Sequence, residues 1–235
     1  MPYFLKEILS ESELELFLRL RYSEFCNSPA SVVVMKNNKE IDINYYDRNS
    51  MHYGIYKQQN ERAAPVGYFR IVLEEPAIAD KWVTNISEKS GLTNVTEHKP
   101  QTVFPCMGIY PYQNLEQEFY KKKTPFERAG EVSRFFIIQS ERSVRLSLQI
   151  IRSSFAIALL HIQHAFVGCF SDHSQVYMKL GFKPCPGSSI FSFKSTGKQK
   201  EGIILYCSAD YLSGEVHSKL KIMQGQFLLN KRLTF

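Results

Sequence analysis

The sequence predicts an α/β protein built on a mixed sheet with flanking helices. Three observations carry this. Short apolar, β-branched or aromatic runs alternate with helical patterns along the chain. The runs before residue 75 follow one another closely, as in an antiparallel meander. A long segment after residue 138 has helical periodicity and is apolar nearly all round in its second half, which is the pattern of a helix buried against a sheet. A chain of 235 residues, 44% of them hydrophobic, is long enough to bury its own core without disulfide or metal. One domain over 1–235 is therefore expected, with a long insertion at about 75–128.

Taken in order, Tyr3 to Leu9 reads as a strand. Ser10 followed by Glu13 is a capping-box pattern that opens a helix carrying Leu14, Leu16, Phe17, Leu18 and Leu20. That helix places Arg21 and Phe25 on one face and stops at Asn27, Ser28 and Pro29. Residues 31–35 are apolar and mostly β-branched, and His52 to Tyr56 and Pro65 to Leu73 are strands separated by a polar loop at 57–64. The insertion holds the only Trp, several Pro and Gly, and a short helix at Ile78 to Lys89; long connections of this kind are often lids or binding loops. Glu131 to Ile138 is a strand, Ser140 to Gln163 the long helix and His164 to Phe170 a strand. Asp172 to Leu180 is a short helix ended by Gly181, Gly202 to Cys207 a last strand, and Ser213 to Asn230 a helix.

Composition excludes several classes. The N-terminus interrupts its apolar residues with Lys6, Glu7, Glu11 and Glu13, unlike a secretory signal. The most apolar stretch, Ser153 to Ile162, is too short to span a bilayer, so no integral membrane contact is expected. Five cysteines form no CxxC pair and are odd in number, which fits reduced thiols in a cytoplasm. The net charge of +6 is scattered rather than gathered on a periodic face, so nucleic acid is not the expected partner. Lys121, Lys122 and Lys123 make the only basic run; it reads as a solvated loop or as a docking site for an acidic protein. His161, His164 and His173 match no compact metal motif and read as core or solvated histidines.

Several separated groups form a recognisable set: Glu131-Val-Ser-Arg134-Phe-Phe; Arg21-x-x-x-Phe25; Glu40-Ile-Asp42 with Tyr46-Asp47 and His52-Tyr53; Gly67-Tyr-Phe-Arg70; and Tyr177-Met-Lys-Leu-Gly181-Phe182. In this order they resemble the LuxI-type acyl-homoserine-lactone synthases and the FeeM-type N-acyl amino acid synthases of the GNAT acyltransferase superfamily. The resemblance implies the GNAT fold, with a central, mixed, mainly antiparallel, twisted sheet. It also implies an acyl transfer from a thioester to an amine. Two departures bear on this. Asp42 and Asp47 are five apart where the family spaces its Asp pair by three, and Asn44 holds the three-apart position, so either Asp42 or Asn44 stands for the first. The Trp that LuxI-type chains carry after the first Phe has no counterpart, which favours an amino-acid-type acceptor over S-adenosylmethionine.

Acyl transfer needs a neutral amine, a base for its proton and donors at the developing oxyanion. The catalytic set is expected to be Glu131, Arg134 and Phe136, with Glu131 as base; the alternative is that Glu131 and Arg134 only complete a structural ion-pair network. Arg21, Phe25, Asp42, Asn44, Asp47 and Arg70 are the expected acceptor-side electrostatic cluster. Residues three apart on a strand face opposite ways, so Glu131 and Arg134 share a cleft only if a bulge intervenes. The resemblance implies one near Ser133 to Phe136, freeing N–H groups from Phe135 to Ile138 for oxyanion and pantetheine. Ile138, Arg142 and Arg145 are the expected phosphopantetheine contacts. The stretch Gln139 to Arg145 lacks the glycines that hold a coenzyme A pyrophosphate in acetyl-CoA-dependent relatives, which favours acyl carrier protein, an acidic partner suited to a basic surface. No resident cofactor is expected; acyl-acyl carrier protein or acyl-CoA is the donor and a small-molecule amine the acceptor. Phe135, Phe136, Phe155, Phe166 and Phe170 either line an acyl tunnel between sheet and long helix or fill plain core. Two other readings remain: homoserine-lactone synthesis from S-adenosylmethionine, and a non-catalytic module that binds carrier protein or lipid.

Overall fold

The computed structural model describes residues 2–28, 31, 34–108, 113–188, 190–195 and 198–235. In chain order the elements are β1 (Tyr3–Glu7), α1 (Glu11–Cys26), α2 (Tyr45–Arg48), β2 (Ser50–Gln59), β3 (Arg62–Leu73), α3 (Asp80–Ser90), α4 (Thr93–Glu97) and α5 (Gln113–Lys122). Then follow β4 (Ala129–Ile137), α6 (Val144–Ala158), β5 (His164–Phe170), α7 (Ser174–Met178), β6 (Lys183–Pro184), β7 (Phe191–Ser195), β8 (Lys198–Ser208), α8 (Gly214–Asn230) and β9 (Arg232–Thr234). Among the described residues the strands form one sheet in the order β6-β8-β5-β4-β3-β2-β1-β9, with β7 also on β8. Every pairing is antiparallel except β4 with β5. This is the mixed, mainly antiparallel sheet with flanking helices that the sequence predicts.

Alternation along the strands sorts side chains onto two faces. Leu5, Tyr53, Ile55, Phe69, Ile71, Val132, Ala165 and Leu205 pack against α6 and α8. The opposite face carries Phe4, Tyr56 and Tyr68 beneath α1 and α3. Farther along, Val72, Phe166 and Ile204 lie under Phe104, Cys106 and Met107 of the insertion. Helix starts follow local chemistry: the Ser10, Ser143 and Ser213 hydroxyls accept the N–H groups of Glu13, Leu146 and Val216. The expected box at Ser10 is only half made, because the Glu13 carboxylate turns to Lys6 and Tyr56 instead.

Several boundaries differ from expectation. The 57–64 loop is a hairpin: β2 runs to Gln59 and β3 starts at Arg62, with Asn60 at φ 55° making the tight turn. The long helix starts at Val144, not Ser140, because Ser143 is extended at φ −143° and ψ 152°, and it ends at Ala158. β7 and β9 are short strands that residue pattern alone does not single out; they exist because β8 and β1 offer them an edge. The strand expected at 31–35 falls partly on residues 32 and 33, outside the described residues; Ser31, Val34 and Met35 are in no strand. The insertion carries α3 where a helix was expected, and also α4 and α5. No helix of the described residues is long and apolar enough to cross a membrane.

Candidate active site

The site lies on the sheet face beneath α1 and the insertion, and it begins with Asp47. This carboxylate is fully buried and accepts Arg21 Nη1 and Nη2, each at 2.9 Å, Arg70 Nη1 at 2.6 Å and the Asn44 N–H at 2.9 Å. Burial pushes its pKa up, but the charges of Arg21 and Arg70 outweigh burial and hold it well below the carboxylate range. Asn44 caps α2, accepting the Tyr46 N–H, and also takes Arg70 Nη1 at 3.0 Å. Asp42 pairs with Arg21 Nε at 2.7 Å and stands 3.8 Å from Arg134 Nε. Asp42 and Asn44 thus both join the cluster, in different roles: Asp42 serves Arg21 and Arg134, Asn44 serves Arg70. Phe25 lies under the Arg134 guanidinium, 5.6 Å from ring to cation. Burial lowers the Arg134 pKa to about 10, which leaves it charged at neutral pH.

Two residues of this cluster, His52 and Tyr68, stand inside the quoted motifs but were not among the expected site residues. His52 Nε2 lies 3.0 Å from the Asp47 carbonyl oxygen, which can only accept, so Nε2 carries the proton. Nδ1 then accepts the Tyr68 hydroxyl at 2.6 Å, and the Tyr68 oxygen accepts Arg21 Nη1 at 3.1 Å. Burial depresses His52 to about 4, so the imidazole is neutral. A usable signal existed: Tyr68 and Arg70 are two apart on one strand and share a face.

The bulge is present. The β3–β4 register passes from Arg70 opposite Ser133 to Tyr68 opposite Phe136, so β4 spends three steps against two. Arg134 takes up the extra residue at φ 57°, a left-handed conformation that costs a side-chain-bearing residue about 1 kcal/mol or more. The bulge keeps Glu131, Ser133, Arg134 and Phe136 on the site face, and the Ser133 hydroxyl accepts Arg70 Nε at 3.2 Å. β4 and β5 are in register only from Ala129 with His164 to Glu131 with Phe166. Beyond that pair the strands part, and Glu131 stands at the fork.

Glu131 is 2% exposed, and its Oε2 accepts the Cys106 N–H at 2.7 Å. Burial raises its pKa, against the Cys106 hydrogen bonds and the charges of Arg70 and Arg134. Cys106 belongs to the insertion and lies against β5: a Cβ on Gly168 would stand 3.0 Å from the Cys106 Cβ. Nothing in the sequence near Cys106 announces this, because the contact spans 25 residues and uses a backbone group.

The other expected residues fall outside this centre. The Ile138 N–H is not freed for a ligand; it donates to the Val66 carbonyl at 2.8 Å because β3 continues alongside. Arg142 is exposed, with Nε on the Ile137 carbonyl at 3.1 Å and Nη2 3.3 Å from Glu24, and Arg145 is exposed on the first turn of α6. The five phenylalanines do not line one tunnel. Phe155 and Phe135 pack on the α6 face, Phe136 and Phe166 on the opposite one, since the bulge at Arg134 turns 136 rather than 135 to the site face and the strand alternation places 166 opposite 165. Phe170 packs against His173 at the end of β5.

No family model and no curated protein matches the sequence. Solved structures do. The chain is similar to BjaI, a CoA-dependent acyl-homoserine lactone synthase solved with SAM and isopentyl-CoA, at a TM-score of 0.55 and 14% identity, over 95% of this chain and 90% of BjaI. The fold is that of an acyl-homoserine lactone synthase. FeeM, an N-acyl amino acid synthase from uncultured soil microbes, shares this fold at a TM-score of 0.50 and 11% identity, over 96% of this chain and 99% of FeeM. TofI, solved in a ternary complex with an inhibitor and MTA, matches at 0.52 and 13%, over 93% and 97%. The two groups that the sequence motifs resemble are thus both among the proteins that share this synthase fold.

Proposed function

We propose that this chain is an N-acyltransferase that moves a fatty acyl group from an acyl carrier protein to the amine of an amino-acid-type acceptor by direct attack. The observation that carries the reading is Glu131: a buried carboxylate with a raised pKa at the fork between two diverging strands, facing the Arg70 and Arg134 guanidinium groups. In the proposed reaction the neutral amine attacks the thioester carbonyl carbon while Glu131 takes a proton from nitrogen, directly or through one water. The carbonyl oxygen becomes an oxyanion, then collapses as the C–S bond breaks, and the leaving sulfur takes the proton held by Glu131, so that the free thiol departs and Glu131 is ionised again. Three arginines, 21, 70 and 134, face three carboxylates, 42, 47 and 131. Protonating Glu131 leaves this cluster with one excess positive charge as the oxyanion forms, and such preorganised charge is what stabilises it.

The exposed Arg142 and Arg145 flank the start of α6, where a single phosphodiester would find both cations and the helix N-terminus. This supports the carrier-protein donor. A second reading, acyl-CoA with SAM as acceptor, is favoured by one observation, the shared fold with the CoA-dependent BjaI.

The test is mass spectrometry of organic extracts from bacteria expressing the chain, beside cells expressing Glu131→Gln. New fatty-acylated species that disappear in a folded variant are expected, and their fragments name acceptor and chain length. Turnover by purified Glu131→Gln should fall by about two to four orders of magnitude, the scale of losing a general base. A variant retaining most of its turnover removes Glu131 from the mechanism.

A further inference from the structure

The insertion segment 102–108, which covers Glu131, is itself held by a buried carboxylate. Glu116 of α5, 8% exposed, accepts the Val103 N–H at 2.8 and 3.0 Å through its two oxygens and the Phe104 N–H at 3.1 Å. A second anchor lies one turn away. Thr102 Oγ1 donates to the Phe104 carbonyl at 3.1 Å, so the Tyr46 hydroxyl, 3.1 Å from Thr102 Oγ1, donates to it. Tyr46 is the neighbour of Asp47 in α2, so this anchor ties the segment to the arginine cluster. Phe104, at the second anchor, and Cys106 and Met107, just beyond it, are fully buried, and Gly168 leaves just the room that Cys106 occupies against β5.

We propose that Glu116 and Tyr46 are positioning residues of the acyl-transfer site: they hold the 105–108 turn so that the Cys106 N–H rests on the Glu131 carboxylate and fixes both its direction and its hold on the proton. The proposal builds on the acyl-transfer reading of Glu131. A carboxylate buried merely to stitch a loop would need only the Val103 and Phe104 donors. Here the stitched loop delivers a third donor to the one carboxylate at the strand fork. The groups facing Glu131 are the Cys106 N–H and thiol from the turn, Arg70 from β3, Arg134 from β4 and Tyr46 from α2. Of these, only the Cys106 donors depend on the Glu116 anchor. Loosening that anchor removes hydrogen bonds that favour the ionised form, so Glu131 must hold its proton to higher pH.

The experiment compares wild type with Glu116→Ala, Glu116→Gln and Tyr46→Phe. Two quantities are read: the titration of Glu131 by 13C NMR of carboxyl-labelled protein, its signal assigned by loss in Glu131→Gln, and the pH profile of kcat/KM. In Glu116→Ala, Glu131 should titrate about one unit higher, with the acid limb of the profile moving by the same amount. Glu116→Gln keeps one carbonyl acceptor and should shift less; Tyr46→Phe should shift in the same direction. Should Glu116→Ala not fold, the other two variants decide. Folded variants in which Glu131 titrates as in wild type overturn the proposal, since a stitching role predicts lower stability with no change at Glu131. A shifted titration in proteins with no acyl transfer to any amine would overturn the acyl-transfer reading while leaving the mechanical link from Glu116 to Glu131 standing.

Discussion

Asp47 accepts four N–H groups without a water-exposed atom, so its charge is fully committed to Arg21, Arg70 and the cap of α2. A buried ion pair adds little beyond its desolvation cost while intact, but breaking one strands the partners. Asp47→Ala should therefore destabilise the protein by about 3–5 kcal/mol, read by urea denaturation. A loss below about 1 kcal/mol would mean that water reaches the arginines. His52 makes a pH-dependent contribution of defined sign. Its folded pKa of about 4 lies below the ordinary 6.5, so the unfolded chain binds the proton first as pH falls. Its contribution is complete above pH 6.5 and is lost as pH falls towards 4, by at most about 3 kcal/mol at about 1.4 kcal/mol per unit. His52→Gln should flatten the stability profile across that window. An unchanged slope would show that the imidazole does not titrate against folding.

At the scale of elements, backbone conformation decides effects that contacts do not. Gly91 ends α3 at φ 68°, and Gly225 lies within α8 at an ordinary helical angle; a Cβ on either meets nothing within 4 Å. Gly91→Ala should cost about 1 kcal/mol, because the left-handed conformation penalises a Cβ, whereas Gly225→Ala should gain about 0.5–1 kcal/mol from helix propensity. Thermal denaturation of the two variants checks this, and equal signs would refute it. The same logic governs β4, where Arg134 accepts a left-handed conformation. The strain is the cost of keeping Glu131 and Phe136 on one face, since one residue fewer would send every side chain after it to the other side.

For the molecule as a whole, a charge of +6 and a pI near 9.0 bear on encounter rather than fold. If an acidic carrier protein brings the acyl group, raising the ionic strength about tenfold should lower kcat/KM for that donor several-fold with little change in kcat. A rate insensitive to salt would count against an electrostatically steered carrier.

Much of this molecule is legible in its residues because helices and strands answer to neighbours two to four positions away. The Ser10 cap, the apolar runs of β2, β3 and β5 and the helical periodicity of α6 are local signals, whereas the arginines and aspartates of the cluster were found through the resemblance that their motifs carry. The rest depends on groups far apart in sequence. The hairpin at 60–61 and the edge strands β7 and β9 exist through their partners. The faces of Phe135 and Phe136 follow from a bulge that leaves no mark on the local pattern. The grip of Cys106 on Glu131, and of Glu116 on the turn that carries it, is made by backbone N–H groups. Every residue but proline has such a group, so its identity in the sequence carries no information; only packing decides which carboxylate it meets.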